Sequence, residues 1–275
     1  MAIRYSQILK IIENAFTCPK TSLRLLARSH QIERAIRYNG LPATKTDAPR
    51  GGPIDSNDFF KYCTAHKKGH GIWKWEHYFD IYDRHLNKFR GRPVTIMEVG
   101  IYSGGSLGMW RHYFGEQCKI VGLDIASECS VYIGPFVDVY IGNQGDREFL
   151  RNTLDKCGGV DVFVDDGSHI PEHQIVGFEE VFQFIRPGGV YICEDIQGIH
   201  NEFIEYVYGL SKSICQIRYT GDKAKIPTNA LQRWVRSIEI APYIVAIDKH
   251  EREQSSLLNS KWGTEWQPFS AKATF

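Results

Sequence analysis

Val94-Thr-Ile-Met-Glu-Val-Gly100-Ile-Tyr-Ser-Gly104-Gly105-Ser106 holds the fold in miniature. Its first part is a short apolar run of strand type, the glycines make a tight turn, and Ser106 to Phe114 continues as a helix. The alternation repeats downstream. Lys119 to Asp124, Phe136 to Ile141, Val160 to Asp165 and Gly189 to Cys193 read as strands, with helices over Asp146 to Lys156 and Pro171 to Ile185. Apolar strands joined by helices predict a parallel sheet covered on both faces, the α/β doubly wound architecture. Ser237 to Ala241 and Ile244 to Asp248 are separated only by Pro242-Tyr243. That gap is too short for a parallel crossover, so an antiparallel C-terminal hairpin is expected.

The glycine-rich turn excludes two familiar phosphate sites. Gly100 and Gly105 have the outer spacing of a P-loop, but Ser106 stands where its lysine belongs. Tyr102 takes the place of the second glycine of a dinucleotide fingerprint, where a side chain obstructs a pyrophosphate. The turn suits a nucleoside-like ligand without phosphates, and Asp124, ending the next strand, is placed to accept ribose hydroxyls. Ligands of open parallel sheets bind outside the carboxyl ends of the strands. Asp165-Asp166-Gly-Ser-His169 and Glu194-Asp195 lie at two such ends. Carboxylates crowded in one cleft repel one another, and a cation relieves them; an all-oxygen set at an open cleft suits Mg²⁺ or Mn²⁺. The competing reading gives individual members structural work, Asp195 capping a helix and Asp165 binding backbone amides. His169, three residues beyond Asp166, is the candidate general base, since imidazoles titrate near neutrality.

Residues 1–57 are expected to form a helical arm and linker, and residues 58–275 the main domain with a cap segment at its start. The first 55 residues carry nine basic side chains against four acidic ones. Within them Ile8, Ile11, Ile12 and Ala15, then Leu25, Leu26, Ile32, Ala35 and Ile36, recur at helical spacing. Two amphipathic helices follow, whose apolar faces pack on the main domain or on another subunit. Residues 43–57 are rich in Pro, Gly and small polar residues and read as a linker or substrate-side loop. Between Tyr62 and Tyr82, Trp73 and Trp75 either cap the cofactor and substrate or fill core, and Lys67 and Lys68 are expected in solvent.

Across 275 residues, 33 Lys+Arg nearly balance 32 Asp+Glu, which removes the general electrostatic case for nucleic acid. Apolar runs are too short for a membrane span or a signal peptide, so a soluble, cytoplasmic protein is expected. Seven scattered cysteines without CxxC spacing disfavour a disulfide framework or structural zinc.

Glu98-Val-Gly100, Gly104-Gly105-Ser106, Gly122-Leu-Asp124, Gly142-Asn-Gln-Gly-Asp146, Asp165-Asp166-Gly-Ser-His169, Arg186-Pro-Gly-Gly189 and Glu194-Asp195 together resemble the class I S-adenosylmethionine-dependent methyltransferases. More narrowly, they resemble the metal-dependent sugar O-methyltransferases of macrolide biosynthesis, the macrocin and mycinamicin type, and the cephalosporin-hydroxylase-like group. The resemblance covers residues 60 to 250 in rough extent. It implies a seven-stranded, mostly parallel Rossmann-like sheet. It implies Asp166, Glu194 and Asp195 as Mg²⁺ ligands, His169 as catalytic base, and Glu98, Gly100, Ser106, Asp124, Gln144, Asp146 and Asp165 as the cofactor-binding set. The activity implied is Mg²⁺-dependent methyl transfer from S-adenosylmethionine to a hydroxyl of a small natural product, a deoxysugar or glycoside. A homo-oligomer without nucleic-acid or membrane partners goes with it. The rival readings are a catechol-type O-methyltransferase and a non-catalytic cofactor-binding relative; a nicotinamide oxidoreductase is disfavoured by Tyr102.

Overall fold

Strands rich in Val, Ile and other apolar residues call for cover on both faces, and the computed structural model shows a core on each side of the sheet. It describes residues 31–38, 56–218, 221 and 224–263. The chain divides into one unit over Met1–Arg50 and another over Gly51–Phe275. In the first, residues 31–36 are helical; the rest of the two expected N-terminal helices and most of the expected linker lie outside the described residues.

The second unit begins with helices α1 (Asp58–Ala65) and α2 (Tyr78–Leu86). Strand and helix then alternate: β1 (Val94–Val99), α3 (Gly105–Phe114), β2 (Cys118–Asp124), β3 (Val137–Ile141), α4 (Arg147–Cys157), β4 (Val160–Asp165), α5 (Pro171–Val181) and β5 (Ile185–Cys193). After α6 (Glu202–Ile214) come β6 (Lys225–Pro227), α7 (Ala230–Trp234), β7 (Val235–Ala241), β8 (Ile244–Lys249) and β9 (Ser256–Leu258).

Seven strands form one sheet in the order β3-β2-β1-β4-β5-β8-β7. The first five are parallel, β8 runs antiparallel to both neighbours, and the β7–β8 pair is the hairpin expected from the Pro242-Tyr243 gap. Strands β6 and β9 form a separate two-stranded sheet that the sequence reading did not anticipate. Helix α5 ends at Val181, short of the expected Ile185, because Ile185 already pairs with Val160 as the start of β5.

Successive residues of each strand feed opposite layers. Ile96 and Val94 join Phe59, Tyr82 and Trp110 from α1, α2 and α3. Met97 and Val99 join Leu150, Val176 and Phe203 from α4, α5 and α6. Strand order reverses between β1 and β4, and the register sets Val99 beside both Leu123 and Asp165, and Asp165 beside Cys193. The residues that follow, Gly100, Asp124, Asp166 and Glu194, therefore emerge side by side at the topological switch point, where ligands of such sheets bind.

Candidate active site

The turn after β1 needs its glycine. Gly100 has φ +82°, and a Cβ there would lie 2.0 Å from the Asp166 carbonyl oxygen. The β1 and β4 turns thus touch backbone to backbone. Gly105 opens α3 under equally tight contact, since a Cβ would stand 2.3 Å from the Gly71 carbonyl oxygen. Asp124 accepts the backbone N–H of Tyr102 (3.0 Å) on one oxygen and that of Ala126 (2.9 Å) on the other. These bonds fix a carboxylate at the mouth of a cavity of about 730 Å³, the size range of small-molecule sites.

The acidic cluster already contains a cation. Lys74, from the irregular stretch between α1 and α2, places Nζ 2.6 Å from Asp166 Oδ2, 3.0 Å from Glu194 Oε2 and 3.4 Å from Glu98 Oε1, with 3% of its side chain exposed. Burial opposes its charge, but Glu194, Asp166 and Glu98 outweigh that and hold its pKa well above a free lysine's. The other oxygen of Glu194 accepts from the Tyr82 hydroxyl at 2.5 Å, and the other oxygen of Glu98 accepts from Ser106 Oγ at 2.6 Å. Burial also drives the Glu194 carboxyl above its ordinary range, against the pull of Lys74. Asp165 lies beneath the cavity floor. Its Oδ1 accepts from Gln144 Nε2 at 3.0 Å, its Oδ2 has no partner among the described residues, and burial raises its pKa to about 6.

Nearer solvent, Asp195 Oδ1 accepts from the Tyr78 hydroxyl (2.8 Å) and Trp75 Nε1 (3.1 Å), while Oδ2 lies 3.7 Å from His169 Nε2. One ligand atom each of Asp166, His169 and Asp195 falls within 4.8 Å of the others. His169 (φ 54°) and Asp195 (φ 53°) both hold left-handed backbone conformations, as does Tyr102 (φ 40°) at the cavity rim. Such strain persists only where the surroundings enforce it and gathers at functional sites.

The cavity is lined by eight of the expected site residues: Gly100, Ser106, Asp124, Gln144, Asp166, His169, Glu194 and Asp195. Glu98 and Asp165 are fully buried below it. Asp146 belongs elsewhere: its Oδ1 accepts the backbone N–H groups of Glu148 and Phe149 and caps α4, the use to which a helix-starting Asp is ordinarily put. Trp73 lines the cavity at 90% exposure and Trp75 at 49%, so neither fills core. Lys74, Tyr78 and Tyr82 were not expected. The spacing of four between Tyr78 and Tyr82 was a usable signal, since two tyrosines one turn apart on a helix present both hydroxyls to one place.

The parallel sheet with its antiparallel β8, and its strand-end cavity, define the class I methyltransferase fold. No family model matches the sequence. The chain is 31% identical over 200 residues to the 8-demethyl-8-alpha-L-rhamnosyl tetracenomycin-C 2'-O-methyltransferase of Streptomyces olivaceus, across 66% of this chain and 52% of that protein. It is 37% identical over 122 residues to the mycinamicin VI 2''-O-methyltransferase of Micromonospora griseorubida, across 42% of this chain and 30% of that one. Among solved structures it is similar to the MycE methyltransferase of the mycinamycin biosynthetic pathway in complex with Mg and SAH. That match has TM-score 0.58 and 24% identity, covering 71% of this chain and 54% of the other. The chain thus spans about half the length of the first of these curated relatives and about a third of the second. The expected resemblance to sugar O-methyltransferases holds, and so does the expected fold.

Proposed function

We propose that the protein transfers the methyl group of S-adenosylmethionine to a hydroxyl of a small glycosylated natural product, with Mg²⁺ as cofactor. One observation carries the reading. The Gly100 turn and Asp124 open into the same cavity as Asp166, His169 and Asp195, so a nucleoside-type ligand and a metal-held hydroxyl can meet there. The relatives support it, being named as O-methyltransferases of rhamnosyl tetracenomycin and mycinamicin. Asp124 would accept the ribose hydroxyls and Gln144 would border the adenine. Carboxylates with an adjacent imidazole fit Mg²⁺ or Mn²⁺, and Asp166 and Asp195 would hold the ion, with Glu194 as the remaining member of the expected set. Bound there, a divalent cation acidifies an acceptor hydroxyl and fixes its direction. His169 takes the hydroxyl proton at Nε2, which lies 3.7 Å from Asp195 Oδ2. Trp73 and Trp75 wall the acceptor side, where an aromatic face packs on a sugar ring.

The test incubates the purified protein with S-adenosylmethionine, Mg²⁺ and a panel of glycosides with free sugar hydroxyls, alongside catechols. Mass spectrometry should find one added methyl group on glycosides. Methylation confined to catechols would replace the acceptor class, and binding of S-adenosylhomocysteine without turnover on any acceptor would favour a non-catalytic relative.

A further inference from the structure

Of the three expected metal ligands, Asp166 and Glu194 are held by the Lys74 ammonium, whereas the hydrogen bonds to the Asp195 carboxylate come from neutral groups. Its Oδ1 accepts from the Tyr78 hydroxyl at 2.8 Å and from Trp75 Nε1 at 3.1 Å. The same Tyr78 oxygen accepts the Asp195 backbone N–H at 3.2 Å, so one phenol grips the residue by side chain and main chain together. Asp195 holds a left-handed backbone, φ 53°, which a non-glycine residue keeps only where its surroundings enforce it. Tyr78 is itself held fast. It is fully buried at the head of α2, and its hydroxyl also lies 3.1 Å from the Tyr243 carbonyl, which accepts the Ile196 N–H at 2.9 Å. The end of β5, the turn of the β7–β8 hairpin and the start of α2 therefore meet at one hydroxyl. With two donors on Oδ1, the other oxygen is left on the cavity side, 3.7 Å from His169 Nε2.

We propose that Tyr78 and Trp75 are positioning residues that select which oxygen of Asp195 meets the divalent cation, occupying Oδ1 and so presenting Oδ2 to the cavity. This deepens the methyltransferase reading and rests on it. Groups that bond to a metal-ligating carboxylate orient it, and their loss typically weakens metal binding by about 10- to 100-fold. Neutral donors suit the task, because they fix the carboxylate without cancelling the charge that attracts a cation. Trp75 serves a second surface as well. Its N–H is spent on Asp195 while its half-exposed ring lines the cavity, so the side chain that walls the acceptor space also fixes the carboxylate beside it.

Mn²⁺ titration followed by electron paramagnetic resonance tests this without reference to turnover. Tyr78→Phe keeps the buried ring and removes only the hydroxyl, and should weaken Mn²⁺ binding about tenfold or more. Trp75→Phe keeps an aromatic wall and removes the N–H, and should weaken it about 3- to 10-fold, the weight of one neutral hydrogen bond. Asp195→Asn should also weaken it, and adding Tyr78→Phe to that variant should change binding by less than about twofold, because Tyr78 acts through Asp195. Calorimetry should find S-adenosylhomocysteine affinity within about twofold of the parent throughout. Mn²⁺ binding as tight as the parent's in Tyr78→Phe or in Asp195→Asn overturns the proposal. So does a double variant that loses the full Tyr78→Phe factor again. Where Asp195→Asn binds too weakly for that comparison, the two aromatic variants decide, and should Tyr78→Phe not fold, parent-like binding in Trp75→Phe overturns the proposal. A parent that binds no Mn²⁺ overturns it together with the metal half of the methyltransferase reading; S-adenosylhomocysteine binding by the same sample then tells whether the cofactor half survives.

Discussion

At Gly100 a single methyl group decides whether the two loops of the site can coexist. A Cβ there would fall 2.0 Å from the Asp166 carbonyl oxygen, and backbone cannot swing away as a flexible side chain can. Gly100→Ala should destabilise the protein by at least about 1–3 kcal/mol from the left-handed backbone alone and abolish S-adenosylhomocysteine binding, as read by thermal unfolding and calorimetry. His169 makes the opposite prediction. It is partly exposed and lies 3.7 Å from Asp195, so His169→Ala should fold and bind S-adenosylhomocysteine normally while kcat falls about 10²- to 10⁴-fold. Unchanged kcat would pass the proton to another group, His173 being the nearby imidazole, bonded to Ser168 Oγ at 2.9 Å. Glycines and carboxylates at strand ends were legible in the sequence because their spacing from each strand is fixed by the chain. Lys74 was not legible, because its partners Asp166 and Glu194 are 92 and 120 residues away. No local pattern distinguishes it from the neighbouring Lys67 and Lys68.

Helix α2 works with both of its ends. Tyr78 and Tyr82 reach the acidic cluster, while His85, one turn on, bridges Asp248 (2.7 Å) and Glu239 (2.9 Å) on the β7–β8 hairpin. Burial works against the imidazolium, yet the two carboxylates win and hold the His85 pKa above 6.5. Burial likewise opposes the Asp248 charge, and His85 and Lys88 bring its pKa down to about 2. The signs separate the two titrations. The raised histidine stabilises the fold fully below pH 6.5 and loses that contribution as pH rises through its folded value. The depressed aspartate stabilises above pH 3.8 and loses its contribution as pH falls toward 2. Thermal unfolding of the parent should therefore weaken on moving upward from neutral pH, and His85→Gln should flatten that slope while costing about 1–3 kcal/mol in mildly acidic buffer. A slope unchanged in the variant would assign it elsewhere. The hairpin was readable from its short gap, whereas the exact bounds of α5 and β5 were not. Val181-Phe-Gln-Phe-Ile185 is nearly all apolar, which suits a buried helix end and a buried strand start equally.

In the proposed reading, cofactor and metal functions occupy different strand ends: Asp124 on β2 for the former, Asp166 and Asp195 after β4 and β5 for the latter. Chelation with excess EDTA should therefore abolish methyl transfer and leave S-adenosylhomocysteine affinity within a few-fold, with Mg²⁺ or Mn²⁺ restoring turnover. Full turnover in EDTA would return the carboxylates to a purely structural role beside Lys74. The stretch between α1 and α2 is fastened at two places. Lys74 is sunk in the acidic cluster, and His77 bonds to the Pro242 carbonyl at 2.8 Å while the Trp75 and Tyr243 rings stand 5.7 Å apart. That wall cannot swing outward without dragging a buried ammonium off its carboxylates. The cavity that Trp73, Tyr102 and Ile170 help to line should consequently act as a gauge rather than a jaw: a molecule is admitted if it fits the space as it stands, and size is settled before chemistry begins.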